Sequence, residues 1–204
     1  MKNILLSLFA LFSISHAATG CVLVQSGDIN VTWKAYKTLA KVGVGGKFTA
    51  VKYTPIAKEG KNFKALFVGS KVSIDATQID TGNPSRDDTL VRMFFKQLKS
   101  TTIEAKITAI KSDKHVRGKP RTGIMDAMIT FNEKTLSIPM KFHYEKGNLM
   151  ATGTIDLFDF AAKQPLATIN KSCYDLHSGK TWNDVSIGFS TTIEATLCNV
   201  EIKK

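Results

Sequence analysis

Apolar and polar residues alternate along most of this chain. Between Asp28 and Lys37, Ile29, Val31, Trp33 and Ala35 fall on one parity, and Asn30, Thr32, Lys34 and Tyr36 on the other. That is the period of a strand with one wet face. The same period returns at Val72, Ile74 and Ala76, and again at Ile103, Ala105, Ile107 and Ala109. It continues through Leu136, Ile138, Met140, Phe142 and Tyr144, then Leu149, Ala151, Gly153, Ile155 and Leu157. Asp184 to Ile202 predicts the last strand, with Val185, Ile187, Phe189, Ile193, Ala195 and Leu197 on one face. Turn residues at Asn132-Glu133-Lys134 and Gly147-Asn148 join the segments tightly,. Pro139 lacks a ladder donor and marks an edge or a bulge. A meander this long predicts a mainly β fold, an antiparallel up-and-down barrel of about eight strands.

Two stretches break the alternation. Thr81-Gly82-Asn83-Pro84 ends a strand, and a short helix follows, with Pro84 and Ser85 at its start and Asp87 and Asp88 in its first turn,. Leu90, Met93 and Phe94 give it an apolar stripe. Arg86 stands between acids and is placed to bind Asp80 or Asp87. Asp159 to His177 predicts one or two helices interrupted at Pro165 and stopped at Gly179,. Ala65 to Thr77 reads as one strand with a break at Gly69-Ser70. Gly43, Gly45 and Gly46 precede a strand-like Lys47-Phe48-Thr49-Ala50-Val51, not a helix, so they predict a bulge or bend and not a phosphate-binding loop. No repeat, low-complexity tract or linker divides the chain, so a single domain is expected.

Met1 to Ala17 has the form of a cleavable export signal: Lys2, an apolar run from Ile4 to Ile14, and small residues at Ser15-His16-Ala17,. The expected mature domain is 18–204, in the periplasm or secreted. A lipidated Cys21 is the less favoured alternative. An oxidising compartment gives meaning to the three cysteines,. A Cys173–Cys198 bridge would contribute about 3 kcal/mol, while Cys21 with Cys198 stays open. The formal charge is +11. Much of it sits in Lys111–Arg121, read as a solvated hairpin tip; without interleaved aromatics it offers nucleic acid no stacking platform. None of the four histidines has metal-ligand spacing, and no Gly-x-Ser-x-Gly elbow occurs. The side chains name no catalytic residue, no metal and no cofactor. A hydrolase acting on a bound lipid would have to rely on His143 or His177.

The corner Ile79-Asp80-Thr81-Gly82-Asn83, with Arg86-Asp87, Leu90 and the following Phe94-Phe95, resembles the signature of the YceI-like family. The resemblance runs from about Gly27 to Ile202. It departs at Asp88-Thr89, where members often carry a His before the Leu, and in a long Asn170–Trp182 segment. It implies a periplasmic or secreted, lipocalin-like barrel that holds an isoprenoid or fatty-acyl lipid, often as a homodimer, with Asp80, Asn83, Arg86 and Asp87 forming a structural corner. The pattern alone permits both a hollow and a filled interior. With the resemblance, the expected lipid-lining residues are Trp33, Phe48, Phe94, Ile103, Ile107, Met128, Ile138, Met140, Phe142 and Ile155. The basic surface suits acidic head groups or transient contact with an anionic membrane. The alternative function is a protein-interaction module with a packed core, using the corner helix and the basic turn.

Overall fold

The longest hairpin turns on two residues. Asn132 and Glu133 both hold positive φ, 49° and 62°, the handedness that lets a two-residue turn follow the twist of its strands. Lys146 and Gly147 repeat this in the next hairpin, at 50° and 84°. The computed structural model describes residues 22–196. The leader expected at residues 1–17, together with Cys21, Cys198, Val200 and Ile202, lies outside the described residues.

In chain order the elements are β1 (Val22–Gln25), β2 (Asn30–Lys37), β3 (Val42–Phe48), β4 (Val51–Thr54), β5 (Glu59–Gly60) and α1 (Phe63–Phe67). Then come β6 (Lys71–Asp75), β7 (Ile79–Asp80), α2 (Pro84–Met93) and a 3-10 turn at Phe95–Gln97. The remainder is β8 (Thr102–Ser112), β9 (Arg121–Phe131), β10 (Lys134–Glu145), β11 (Asn148–Asp156), α3 (Lys163–Ser172) and β12 (Asp184–Thr196). The strands form one curled antiparallel sheet, ordered β4-β6-β8-β9-β10-β11-β12-β2-β3-β7, with β1 added to β12 and β5 to β1. The strand count exceeds the expected eight, partly through breaks in continuous segments. Only Thr49 and Ala50 separate β3 from β4, and only Ala76–Gln78 separate β6 from β7. Between them Thr49 N–H donates to Gln78 O at 2.9 Å, and Asp75 N–H to Ala50 O at 3.2 Å.

Long strands obey the predicted parity. Along β9, Met125, Ala127, Ile129 and Phe131 are buried, while Met128 between them is exposed. Pro139 pairs with Asp126 on the β9 side and lies just before the β10–β11 ladder, whose pairing begins at Lys141 with Thr152. The missing donor therefore sits beside a locally unpaired edge.

Four local expectations change. Ala65–Phe67 belong to α1, not to a strand: Asn62 caps it by accepting from Ala65 N–H at 2.8 Å, and Phe63, Leu66 and Phe67 are buried. Gly43, Gly45 and Gly46 lie inside β3 without a bend. Gly46 faces Trp33 in register, and a Cβ there would fall 2.6 Å from Trp33 Cζ2, so its bareness makes room for the indole. Pro165 does not interrupt α3. It occupies the first turn, where an N–H would have no helical partner,. Arg86 binds neither acid. Its Nε donates to Thr81 Oγ1 at 2.9 Å and its terminal nitrogen to Thr81 O at 3.0 Å, because both carboxylates are engaged elsewhere.

Asn132 ties the hairpin to two other segments. Its Oδ1 accepts from Lys99 N–H at 2.8 Å, and its Nδ2 donates to Phe160 O at 2.8 Å, with only 4% of the residue exposed. Replacing Asn132 by Ala leaves the Lys99 N–H and the buried Phe160 carbonyl without these partners. It also places a residue less tolerant of positive φ in the turn. Denaturant unfolding is expected to show a loss of about 2–4 kcal/mol; a change under about 0.5 kcal/mol, the size of an ordinary surface substitution, would show that the hairpin does not depend on this side chain.

Candidate functional site

The inward faces of the sheet do not meet. They enclose a cavity of about 490 Å³, so the interior is not the filled core that the interaction-module alternative requires. Its walls come from alternate positions of successive strands: Val31, Trp33 and Ala35 on β2, Ile103, Ala105 and Ile107 on β8, Ala127 and Ile129 on β9, Ile187 and Phe189 on β12. Small residues among large ones keep the space open.

The ten residues expected to line it divide. Trp33, Phe48, Phe94, Ile103, Ile107, Met140 and Ile155 border the cavity. Met128, Ile138 and Phe142 do not. Met128 has the wrong parity and points outward, 37% exposed. Ile138 is buried but packs over Gly153, where a Cβ would lie 3.3 Å from its Cγ2. Phe142 stacks edge-on against Phe63 of α1 at 5.5 Å, which also meets Tyr144 at 5.1 Å. Helix α1 thus occupies the end of the sheet where Phe142 points, so that Phe142 meets Phe63 and not the cavity. The lining that periodicity did not assign includes Phe67 of α1, Tyr53 of β4, and Leu166, Ile169, Cys173 and Leu176 from α3 and the loop after it. The helical spacing of those last four was legible. That the face looks into a cavity was not.

Helix α2 lies over the other end. Its cap follows the sequence: Asn83 Oδ1 accepts from Arg86 N–H at 3.1 Å, and Pro84 opens the helix. Thr81 is the hub of the corner. Asp87 accepts from both its N–H and its hydroxyl, and Arg86 binds its hydroxyl and its carbonyl. Asp80 accepts from Gly82 N–H at 2.8 Å and pairs with Lys47 at 3.2 Å. The Gly82 N–H and the Lys47 cation hold the Asp80 carboxyl below the usual carboxylate range. The corner fixes where α2 starts, and so where Arg86, Thr89, Leu90 and Phe94 meet the cavity. No α2 residue is fully buried; Leu90 and Met93 are half-buried against the core, and Leu90 also borders the cavity.

On this side Lys37, Arg86, His177, Thr181 and Trp182 border the cavity, while Tyr53, Ser70 and Lys71 supply polar lining beside α1. His177 is not the charged helix terminus its position suggests. It lies beyond α3, and burial, with the Lys37 cation beside it, pushes its pKa below the ordinary histidine value. A chain of bonds sets its tautomer. Asn170 Nδ2 donates to Gly179 O at 3.4 Å, which turns Oδ1 toward Thr181. Thr181 Oγ1 donates to that Oδ1 at 2.8 Å, so it accepts from His177 Nδ1–H at 2.7 Å. His177 Nε2 is left as an acceptor beside a lysine. Burial raises the pKa of the Cys173 thiol, against the opposing Lys37 charge. Its expected bridging partner, Cys198, is outside the described residues. Deeper in, Trp33 Nε1 and Tyr53 OH are buried without a hydrogen-bond partner. Burial raises the Tyr53 pKa.

Among the described residues no group of three His, Cys, Asp or Glu is placed to hold a metal ion. His143 is on the outer face, 3.6 Å from Glu145, away from the cavity. What the arrangement can do is surround an apolar, chain-like molecule and meet a polar end at the Lys37–His177 opening.

Comparison with known proteins agrees with this architecture. A model of the YceI-like domain matches residues 22–194. A solved polyisoprenoid binding domain from Saccharophagus degradans is similar at TM-score 0.56 and 12% identity, over 87% of this chain and 99% of that one. Burkholderia cenocepacia BcnA is similar at 0.53 and 13%, over 83% and 99%, and the Campylobacter jejuni YCEI protein at 0.49 and 17%, over 96% and 99%. No curated protein matches the chain by sequence. The family model takes in nearly all the described residues, corner and cavity walls together, and the chain belongs to the family of YceI-like domain proteins.

Proposed function

We propose that this protein binds, and carries or sequesters, an amphiphilic isoprenoid or fatty-acyl lipid, its chain in the cavity and its polar end at Lys37 and His177. The observation that carries the proposal is the cavity of about 490 Å³, walled predominantly by apolar side chains. Each methylene moved from water into such walls contributes about 0.8 kcal/mol, so roughly ten of them give micromolar binding. The structural likeness to a polyisoprenoid binding domain supports a chain-like guest. Counted with β3 and β4, and β6 and β7, as single bent strands, the sheet order supports a reading as an eight-stranded barrel, a size suited to one small ligand. The N-terminal pattern supports export and a periplasmic setting. The role is binding, not catalysis.

The mouth suits an acidic or hydrogen-bonding head group. Lys37 supplies a cation, and His177 Nε2 accepts from a hydroxyl. Arg86 is spent on Thr81 and contributes positive potential more than free donors.

Three outcomes follow. Native mass spectrometry of the purified protein is expected to show a co-purifying apolar molecule, and in the same spectrum the homodimer if it forms; a protein that arrives empty and takes up neither a prenyl nor a fatty-acyl probe would end the proposal. Ala105→Phe fills part of the cavity. If it displaces two methylenes, binding of a fluorescent fatty acid weakens by more than about tenfold, whereas outward-facing Met128→Ala leaves it unchanged. His177 governs a pH effect. Because its folded pKa is depressed, the unfolded chain takes up the proton first as pH falls. Stability of the ligand-free protein is therefore fully present above the ordinary histidine value of about 6.5 and declines below it. Thermal melts of His177→Gln are expected to lack that component of the decline; a variant with the wild-type pH profile would show that the imidazole is not held neutral.

A further inference from the structure

Four large apolar side chains stand bare at one end of the molecule: Leu39 at 81% exposed, Val42 at 48%, Tyr174 at 61% and Leu176 at 74%. Leu39 lies in the β2–β3 turn and Val42 opens β3; Tyr174 and Leu176 belong to the loop after α3. The two segments are stitched together. Thr38 N–H donates to Lys180 O at 2.9 Å, and Trp182 N–H to Tyr36 O at 3.0 Å. Trp182 Nε1 donates to Thr38 O at 2.7 Å. Thr38, Lys41 and Ser178 take positive φ, 62°, 56° and 48°, the left-handed conformation of tight turns at both tips. Single exposed apolar residues are ordinary, but a cluster on paired loops is not.

The surrounding charge points one way. Segments 37–42 and 171–184 carry Lys37, Lys41, Lys171 and Lys180 against Asp175 and Asp184, and Asp184 is already paired to Lys41 at 2.7 Å. Lys41 and Lys180 both lie over the Trp182 ring, at 5.0 and 4.6 Å. His177, facing Lys37, is disposed to stay neutral. The patch is also continuous with the cavity opening, since Lys37, Leu176, His177 and Trp182 border both.

We propose that this loop pair is the edge by which the protein docks on an anionic lipid bilayer. Leu39 and Tyr174 enter the interface while the lysines meet the phosphates. An apolar chain would then pass between bilayer and cavity without crossing water. The purpose of such docking rests on the lipid-binding reading above, but docking itself needs no occupied cavity.

The test compares sedimentation with vesicles of phosphatidylcholine alone and of equal parts phosphatidylcholine and phosphatidylglycerol. Separately, it follows uptake of cis-parinaric acid from solution. The protein is expected to bind the anionic vesicles and to release as salt rises. The double variant Leu39→Ser, Tyr174→Ser binds at least about tenfold more weakly, and Lys171→Glu about fivefold or more; none of these residues borders the cavity, so uptake stays at the wild-type level. Vesicle binding without any uptake supports the docking edge and removes the lipid-binding reading. Equal affinity for both vesicle types, a double variant that binds like wild type, or a dimer in sedimentation velocity that the double variant dissociates overturns the proposal.

Discussion

A curled sheet that holds a hollow works under one constraint. Every inward position must be apolar, yet the summed bulk of those side chains must fall short of filling the space. A surplus of large residues would close the interior, and polar ones would fill it with water. This chain meets the constraint by mixing sizes. Trp33, Phe189 and Phe94 stand beside Ala35, Ala105 and Ala127, and Gly46 leaves the place where the Trp33 indole lies. A cavity bounded this way forfeits the dispersion contacts a packed core would have, and an apolar guest restores them. The tendency to bind is the complement of that loss.

The same space decides how the helices behave. Helix α1 packs Phe63, Leu66 and Phe67 into one end and closes it. Helix α2 spans the other end without burying any residue fully. Its start is fixed by the Thr81 hub: Asp87 and Arg86 both bind that one residue, and Asn83 caps the first turn. The corner is short-range chemistry, but its effect is to place the lid over the opening.

Polarity at the mouth is set in a like manner. The histidine at the mouth is kept uncharged by burial and by its lysine neighbour, and a relay from Gly179 through Asn170 and Thr181 fixes which nitrogen carries the proton. Lys37 and the neutral His177 thus border the same cavity as its apolar walls.

Several features were legible in the amino-acid sequence. Alternation at Ile103–Ala109 and Leu136–Tyr144 reports which face of a strand is apolar, and Asn83-Pro84 reports where a helix starts, because both are consequences of local geometry. Hence seven of the ten expected wall residues border the cavity. Alternation is silent on depth along the sheet, so Ile138 and Phe142 could not be told from Met140, and Met128 was assigned to the wrong face by its side chain's character over its parity. Helix α1 was hidden inside an apolar run, where a buried helix and a buried strand look alike. The mouth was beyond reach for a plainer reason. Lys37, Arg86 and His177 are far apart along the chain, and only the curl of the sheet, with α2 and α3 laid across its end, brings them to one opening.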